Sequence, residues 1–225
     1  NRDGWKDIYV TNDYLTNDLM YINNHGKFTD QADLYFKHTS HSAMGNDVAD
    51  LNNDGLADIV ALDMMPQTNN RKKMMVPANS YVTYQNNDRF GYIYQYARNT
   101  MQINEGRNPK TGQPIFGEVG LLAGIAETDW SWAPMVTDFD NDGLRDIIVT
   151  NGFPKDITDQ DFVAFLASEE TMQQAIQQGG VNYKELVRGT DVTIKLSTSS
   201  TTGHFEVLGI TLLYLPRGRR RVAPL

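Results

Sequence analysis

Apolar residues in the first 150 positions come in short runs, each bounded by Asn, Asp or Gly. Asp7–Asn12 reads as a strand, Asn17-Asp18 as a turn, and Leu19-Met20-Tyr21-Ile22 as the next strand. Asn23-Asn24-His25-Gly26 is hairpin chemistry, and Lys27-Phe28-Thr29 opens a third strand. A Tyr/Met-x-Ile-Asn segment followed by Gly and Phe returns at Met101-Gln102-Ile103-Asn104 and Phe116. Short strands, tight turns and no long helix predict antiparallel meanders, the content of propeller blades. The pattern weakens after Asn151, where Phe162, Phe165 and Leu166 set a helical period over Asp161 to Gln178, closed by Gly179-Gly180.

Between the runs lies a recurring acidic loop. Asp138, Asp140, Asp142 and Asp146 occupy positions 1, 3, 5 and 9 of a nine-residue segment with Gly143 at position 6, and Ile147-Ile148-Val149 follows at once. Crowded carboxylates repel one another, so such a loop calls for a cation. Calcium, a hard ion taking six to eight oxygens, suits the donor set, with the carbonyl of Leu144 as a further ligand. Val149 stands where an EF-hand has its bidentate Glu, and a β-branched strand replaces the exit helix. Asp50, Asn52, Asp54, Leu56 and Asp58 repeat the device before Ile59-Val60-Ala61. Asn1, Asp3 and Asp7 repeat it again without position 1, before Ile8-Tyr9-Val10. As plain hairpin turns, Asn-Asp-Gly explains one copy; three copies in one register before the same kind of strand read as a repeat array with a long insertion.

Composition narrows the function classes. The net charge is −8, and residues 191–225 carry +3, which leaves the remainder strongly acidic and disfavours nucleic-acid phosphates. Cysteine is absent, so metal takes the stapling role that disulfides play elsewhere. Extracellular calcium fills weak loops of this type, whose dissociation constants run to roughly 10⁻⁴–10⁻³ M. The longest apolar run, Val207 to Leu215, is too short for a membrane helix. The insertion at 64–100 holds Arg71-Lys72-Lys73 and then Tyr81, Tyr84, Phe90, Tyr92, Tyr94 and Tyr96, read here as local packing on the propeller rim in preference to a ligand surface. Trp130 and Trp132 point to one side of a strand and are assigned to packing between blades. Two histidines, His38 and His41, lack the Glu of His-Glu-x-x-His and make no zinc motif. The polar tract Ser197–Thr202 and the cluster Arg217-Gly218-Arg219-Arg220-Arg221 are expected to form a poorly ordered tail.

Taken together, these residues resemble the FG-GAP/VCBS repeat proteins, whose propellers are similar to the integrin α-subunit head. The likeness runs over about residues 1–165. It extends to the bacterial VCBS-repeat group that carries an ASPIC/UnbV-type label, through Asp63-Met64-Met65-Pro66, Tyr94-Gln95-Tyr96-Ala97-Arg98-Asn99, Thr128 to Pro134 and Asn151 to Asp156. The resemblance implies a secreted or surface-exposed, seven-bladed β-propeller that binds calcium and recognises partners.

The expected fold is therefore all-β: a partial propeller over 1–165, with blade parts at about 1–47, 48–135 and 136–165, the 64–100 insertion, and a helical then atypical segment over 166–225. The remainder of the propeller is expected to lie outside this chain. The expected function is a calcium-binding, non-catalytic module that recognises an extracellular protein or glycan, located outside the cell, in the periplasm or on the outer-membrane surface. It engages no nucleic acid and has no transmembrane segment. The alternative is a propeller part or accessory of an extracellular glycan-processing enzyme. The obvious carboxylates all sit in metal loops, where a cation holds them ionised and opposes the raised pKa a general acid needs.

Overall fold

The two-residue turn at His25-Gly26 shows how directly local chemistry sets this fold. Both residues have positive φ (53° and 89°), the requirement of the turn that matches strand twist, and Asn24 pairs with Lys27 across it. The computed structural model describes residues 1–14, 16–75, 81–152, 158–168 and 195–197. Of the helix expected over Asp161 to Gln178, the first part is helical at Gln160–Leu166; its continuation beyond Ser168, the glycines at 179–180 and the arginine cluster lie outside the described residues.

The chain is all-β. Strands β1 (Ile8–Val10), β2 (Leu19–Asn24) and β3 (Lys27–Asp30) form an antiparallel meander. A second antiparallel sheet joins β5 (Gly45–Ala49), β6 (Asp58–Leu62), β9 (Thr100–Arg107) and β10 (Pro114–Glu118) in the order β10-β9-β6-β5. The third sheet contains β7 (Met64–Met65), β11 (Asp129–Thr137), β12 (Asp146–Asn151) and β13 (Lys195–Ser197). These are blade-like sheets, and among the described residues no ring closes. A short parallel pair joins β4 (His38–Ser40) to β8 (Tyr94–Tyr96).

The sheets divide the chain differently from the expected boundaries at 47/48 and 135/136, which fall inside β5 and β11. The second and third acidic loops each join two consecutive antiparallel strands of one sheet, β5 to β6 and β11 to β12, and the first loop leads into β1. The tail also contributes β13, whose backbone runs antiparallel to β12.

Strand β6 is buried along its whole length, and its alternating residues serve two cores. Ile59 faces Met20, Tyr35 and Phe36 between the first and second sheets. Val60 and Leu62 face Met101, Ile125, Ile147 and Val149 between the second and third. Sheets stacked face to face through apolar strand faces bury their surface as neighbouring blades do, at about 25 cal/mol per Å² of apolar area. Asp47 on β5 adds a polar tie, accepting from the Val136 N–H on β11 at 2.8 Å.

The insertion holds the helices α2 (Asn69–Met74) and α3 (Tyr81–Phe90), after the single turn α1 (Ala32–Tyr35) earlier in the chain. Thr68 caps α2 through the Arg71 N–H. Its five cations, Arg71, Lys72, Lys73, Arg89 and Arg98, face one carboxylate, Asp88, inside the insertion. Three of them dock it onto blade carboxylates: Arg71 to Asp129, Lys72 to Glu127 and Arg98 to Glu118. Its aromatics do not form the local core expected of them. Tyr81, Tyr84, Phe90, Tyr94 and Tyr96 are all more than a third exposed. These ion pairs add to the β4–β8 and β7–β11 pairings and to buried Met64, Met75 and Ala97, so the insertion is held without those rings. Trp132 is likewise 39% exposed, with its indole seated where a Cβ on Gly152 would fall.

Candidate metal loops and the buried carboxylates behind them

The three acidic loops share one backbone. Position 4 has positive φ in each (Arg2 63°, Asn53 58°, Asn141 60°), and so does position 6 (Gly4 89°, Gly55 82°, Gly143 87°). Asn tolerates that region through local side-chain bonding, and glycine adopts it without steric cost.

Two of the loops have the same hydrogen-bond set. In Asp50–Asp58, Asp50 accepts from the Asp54 N–H (3.0 Å) and the Gly55 N–H (2.7 Å), Asn52 Oδ1 accepts from Asp54 N–H (3.1 Å), and Asp54 Oδ1 accepts from Leu56 N–H (2.7 Å). In Asp138–Asp146, Asp138 accepts from Asp142 N–H (3.1 Å) and Gly143 N–H (2.9 Å), Asp140 from Asp142 N–H (3.1 Å), and Asp142 from Leu144 N–H (2.7 Å). The first loop keeps the portion its residues allow: Asn1 accepts from Asp3 N–H and Asp3 from Trp5 N–H. The bond from Trp5 holds the exposed Asp3 carboxyl below its usual range. Position 9 closes each loop. Asp58 and Asp146 accept from the N–H at position 2, Leu51 (2.8 Å) and Phe139 (2.9 Å). Asp7 and Asp58 also accept from Asn23 N–H and Asn104 N–H on the neighbouring strand.

The loops are bridged in order. Arg2 at position 4 donates to the carbonyl of Gly55 at position 6 of the next loop, and Asn53 at position 4 donates to the Gly143 carbonyl at 2.9 Å. This line of contacts was not legible in the sequence, because it depends on the spacing of the sheets.

Asp50 and Asn52 share the Asp54 N–H, and Asp138 and Asp140 share the Asp142 N–H, while Asp54 and Asp142 accept from Leu56 and Leu144. Carboxylate oxygens of Asp138, Asp140 and Asp146 lie within 4.8 Å of one another. Asp142 stands outside that trio, turned to its bond with Leu144. The donor set is all oxygen, and each carboxylate has about four lone-pair sites, so those engaged by N–H groups keep capacity for a hard cation. Burial, opposed by the bonds from Asn104 and Leu51 and assisted by the charges of Asp54 and Asp50, pushes the Asp58 carboxyl up. A cation in the loop relieves that repulsion. Calcium fits these residues.

Behind the loops lies a second set of acids that the sequence reading passed over. Five residues after position 9, at the far end of each strand, stand Asn12, Asp63 and Asn151. Asp63 is fully buried and accepts from the N–H groups of His41 (2.9 Å), Ser42 (3.0 Å) and Met64, its own N–H donating to Asn99. Asp18, equally buried, accepts from Tyr9 Oη at 2.6 Å and Asn12 N–H at 3.0 Å. Burial raises both carboxyls to about 6 against the bonds that favour their ions. The signal was the repeat itself: Asp18 and Asn99 stand at matching places, each five residues before the Asn23 or Asn104 that caps a loop.

The histidines find partners separately. His41 is buried beside Ser42 Oγ at 3.0 Å, and burial pushes its pKa down. His38 meets Glu118 at 3.1 Å and Arg98 at 3.1 Å. Burial alone would raise Glu118, but bonds from His38, Met101 N–H and Gly120 N–H, together with Arg98, hold it at about 2. Among the described residues neither histidine enters a cluster of metal-ligating groups.

Repeating acidic loops between antiparallel strands define the class of protein: an all-β chain of blade-forming repeats. A family model described as FG-GAP-like repeat matches residues 1–61, from the first loop through the second loop and into β6, and supports reading the chain as an FG-GAP repeat protein. No curated protein matches the chain. No helix among the described residues is long and apolar enough to cross a membrane.

Proposed function

We propose that this chain is a calcium-stabilised, non-catalytic recognition module of an extracellular or cell-surface propeller, presenting a face to a protein or glycan. The observation that carries the reading is the matching set of turn N–H bonds in Asp50–Asp58 and Asp138–Asp146, with oxygens of Asp138, Asp140 and Asp146 drawn within 4.8 Å. Asp50, Asn52, Asp54, Asp58 and the Leu56 carbonyl hold one ion. Asp138, Asp140, Asp142, Asp146 and the Leu144 carbonyl hold the second, and Asn1, Asp3 and Asp7 form part of a third site. The ion offsets part of each loop's negative charge and thereby fixes the ends of β5–β6 and β11–β12, so its binding energy is folding energy. The millimolar calcium outside cells suits such sites, and the carboxylates, held ionised, serve as ligands and not as acids.

Thermal unfolding in calcium and in EDTA tests this. At calcium a hundredfold above the dissociation constant, each filled loop adds about 2.7 kcal/mol, a shift of several degrees in Tm. Equal Tm in calcium and EDTA would refute the proposal.

A further inference from the structure

The acidic loops occupy one end of the strands, and a different surface occupies the other. Ala61 pairs with Thr100 and Met64 with Trp130, which places the segments around Met65, Tyr96–Arg98 and Glu127 together at the end remote from the loops. There Met65, Tyr96, Ala97, Arg98 and Glu127 line a cleft of about 310 Å³, within the size range of small-ligand sites.

The insertion extends this cleft into a strip. Along β8, Tyr94 and Tyr96 are exposed while Gln95 between them is buried, so both rings stand on the open face, roughly 7 Å apart along the strand. Neither is loose. Tyr94 stacks on Tyr84 with centroids 5.5 Å apart and donates to Asp88 at 3.0 Å. Tyr96 meets the edge of His38 at 5.3 Å, with the Arg98 guanidinium 5.9 Å from its centroid. Fixed rings lose little entropy on binding.

Charge decides the kind of occupant. Arg98 is already paired with Glu118 at 2.8 Å and Lys72 with Glu127, so the cleft is electrically balanced and favours an uncharged ligand. The accessible lining is mainly apolar, yet the guanidinium and the carboxylate among its residues keep hydrogen-bonding capacity beyond those pairs. An apolar side chain would strip water from them and return nothing, whereas adjacent hydroxyls both donate and accept. An uncharged ligand with flat C–H faces for Tyr96 and Tyr94 and hydroxyls along its edges is a carbohydrate.

We propose that this face binds a neutral oligosaccharide, with one sugar ring between Tyr96 and Met65, its hydroxyls on Arg98 and Glu127, and the chain continuing past Tyr94. The assignment rests on the reading of the protein as a recognition module, and it does not depend on the metal.

The test is calorimetric titration of the full chain in calcium with hexasaccharides of β-1,4-glucose, α-1,4-glucose, β-1,4-mannose and β-1,4-xylose, beside hexagalacturonate and a chitosan hexamer as charged controls. At least one neutral hexamer is expected to bind with Kd below about 1 mM, unchanged in about 1 M NaCl. Tyr96→Ala weakens it about tenfold or more at unchanged Tm, while Tyr96→Phe and Lys73→Ala retain it. Failure of every neutral hexamer overturns the proposal, as does binding confined to a charged one and abolished by salt, or binding that survives Tyr96→Ala. If the neutral hexamers fail while calcium still raises Tm, only the glycan assignment falls; loss of the calcium response strikes the proposed function instead.

Discussion

Asp50 and Asp54, in the loop before β6, and Asp63, at the far end of the same strand, face the same difficulty of keeping carboxylates inside a folded chain, and they resolve it oppositely. Asp54 is exposed and Asp50 half-buried; both accept turn N–H groups and crowd other acids. Asp63 is sealed from water and takes N–H groups from three residues, two of them more than twenty positions away. An exposed cluster is stabilised by something added from outside, and a sealed acid only by the protein. On the proposed function, the loops are the part of the fold that responds to its surroundings, and the strand ends are the fixed part.

The sharpest way to break this contrast is Asp63→Ala, which leaves the N–H groups of His41, Ser42 and Met64 without their acceptor. Equilibrium urea unfolding should show a loss on the order of 3–5 kcal/mol, present equally in calcium and in EDTA. A loss that appears only in calcium would place Asp63 in the metal sites. Asp138→Ala is expected to do the reverse, removing up to about 2.7 kcal/mol in saturating calcium and little in EDTA.

A smaller effect probes the line between loops. Asn53→Ala places alanine at positive φ, at about 1–2 kcal/mol, and removes the donor to the Gly143 carbonyl. Calcium titration followed by loop-specific NMR signals should show weaker filling of Asp138–Asp146 as well as of its own loop; an unaffected third loop would make the bridge incidental.

The smallest effect is in pH. Asp18 and Asp63, raised from 3.8 to about 6, bind protons in the folded state before the unfolded one, so their contribution to stability increases as pH falls from about 6 toward 4. His41, pushed down by burial, opposes this below about pH 6.5. In EDTA, Tm is expected to rise modestly between about pH 7 and 5, with two acids outweighing one imidazole. In calcium it should fall, because protonated loops release the ion. Glu118, held at about 2, withdraws its support only below about pH 4.5. Parallel Tm profiles in the two buffers would erase the distinction between loop and strand-end acids.

Much of this was written locally. An Asp-x-Asn/Asp-Asn-Asp-Gly spacing dictates its own turn, because Asn or Arg at position 4 and glycine at position 6 take positive φ and the acids bond N–H groups within five residues. Period-two apolar runs dictate strands, and His25-Gly26 dictates a hairpin. The all-β class and the turn geometry of the loops could therefore be read before any coordinates. What only tertiary structure decided depends on partners distant in the chain. Asp63 becomes a buried acceptor because β6 meets His41 and Ser42, and the loops line up because Asn53 reaches Gly143, 90 residues on. The insertion's exposed tyrosines face outward because strand pairing, buried Met64, Met75 and Ala97, and the ion pairs of Arg71, Lys72 and Arg98 hold it in place without them. Spacing carries information about bonds that close over a few residues; contacts made by stacking one sheet on another are fixed by shape and burial, which no local pattern encodes.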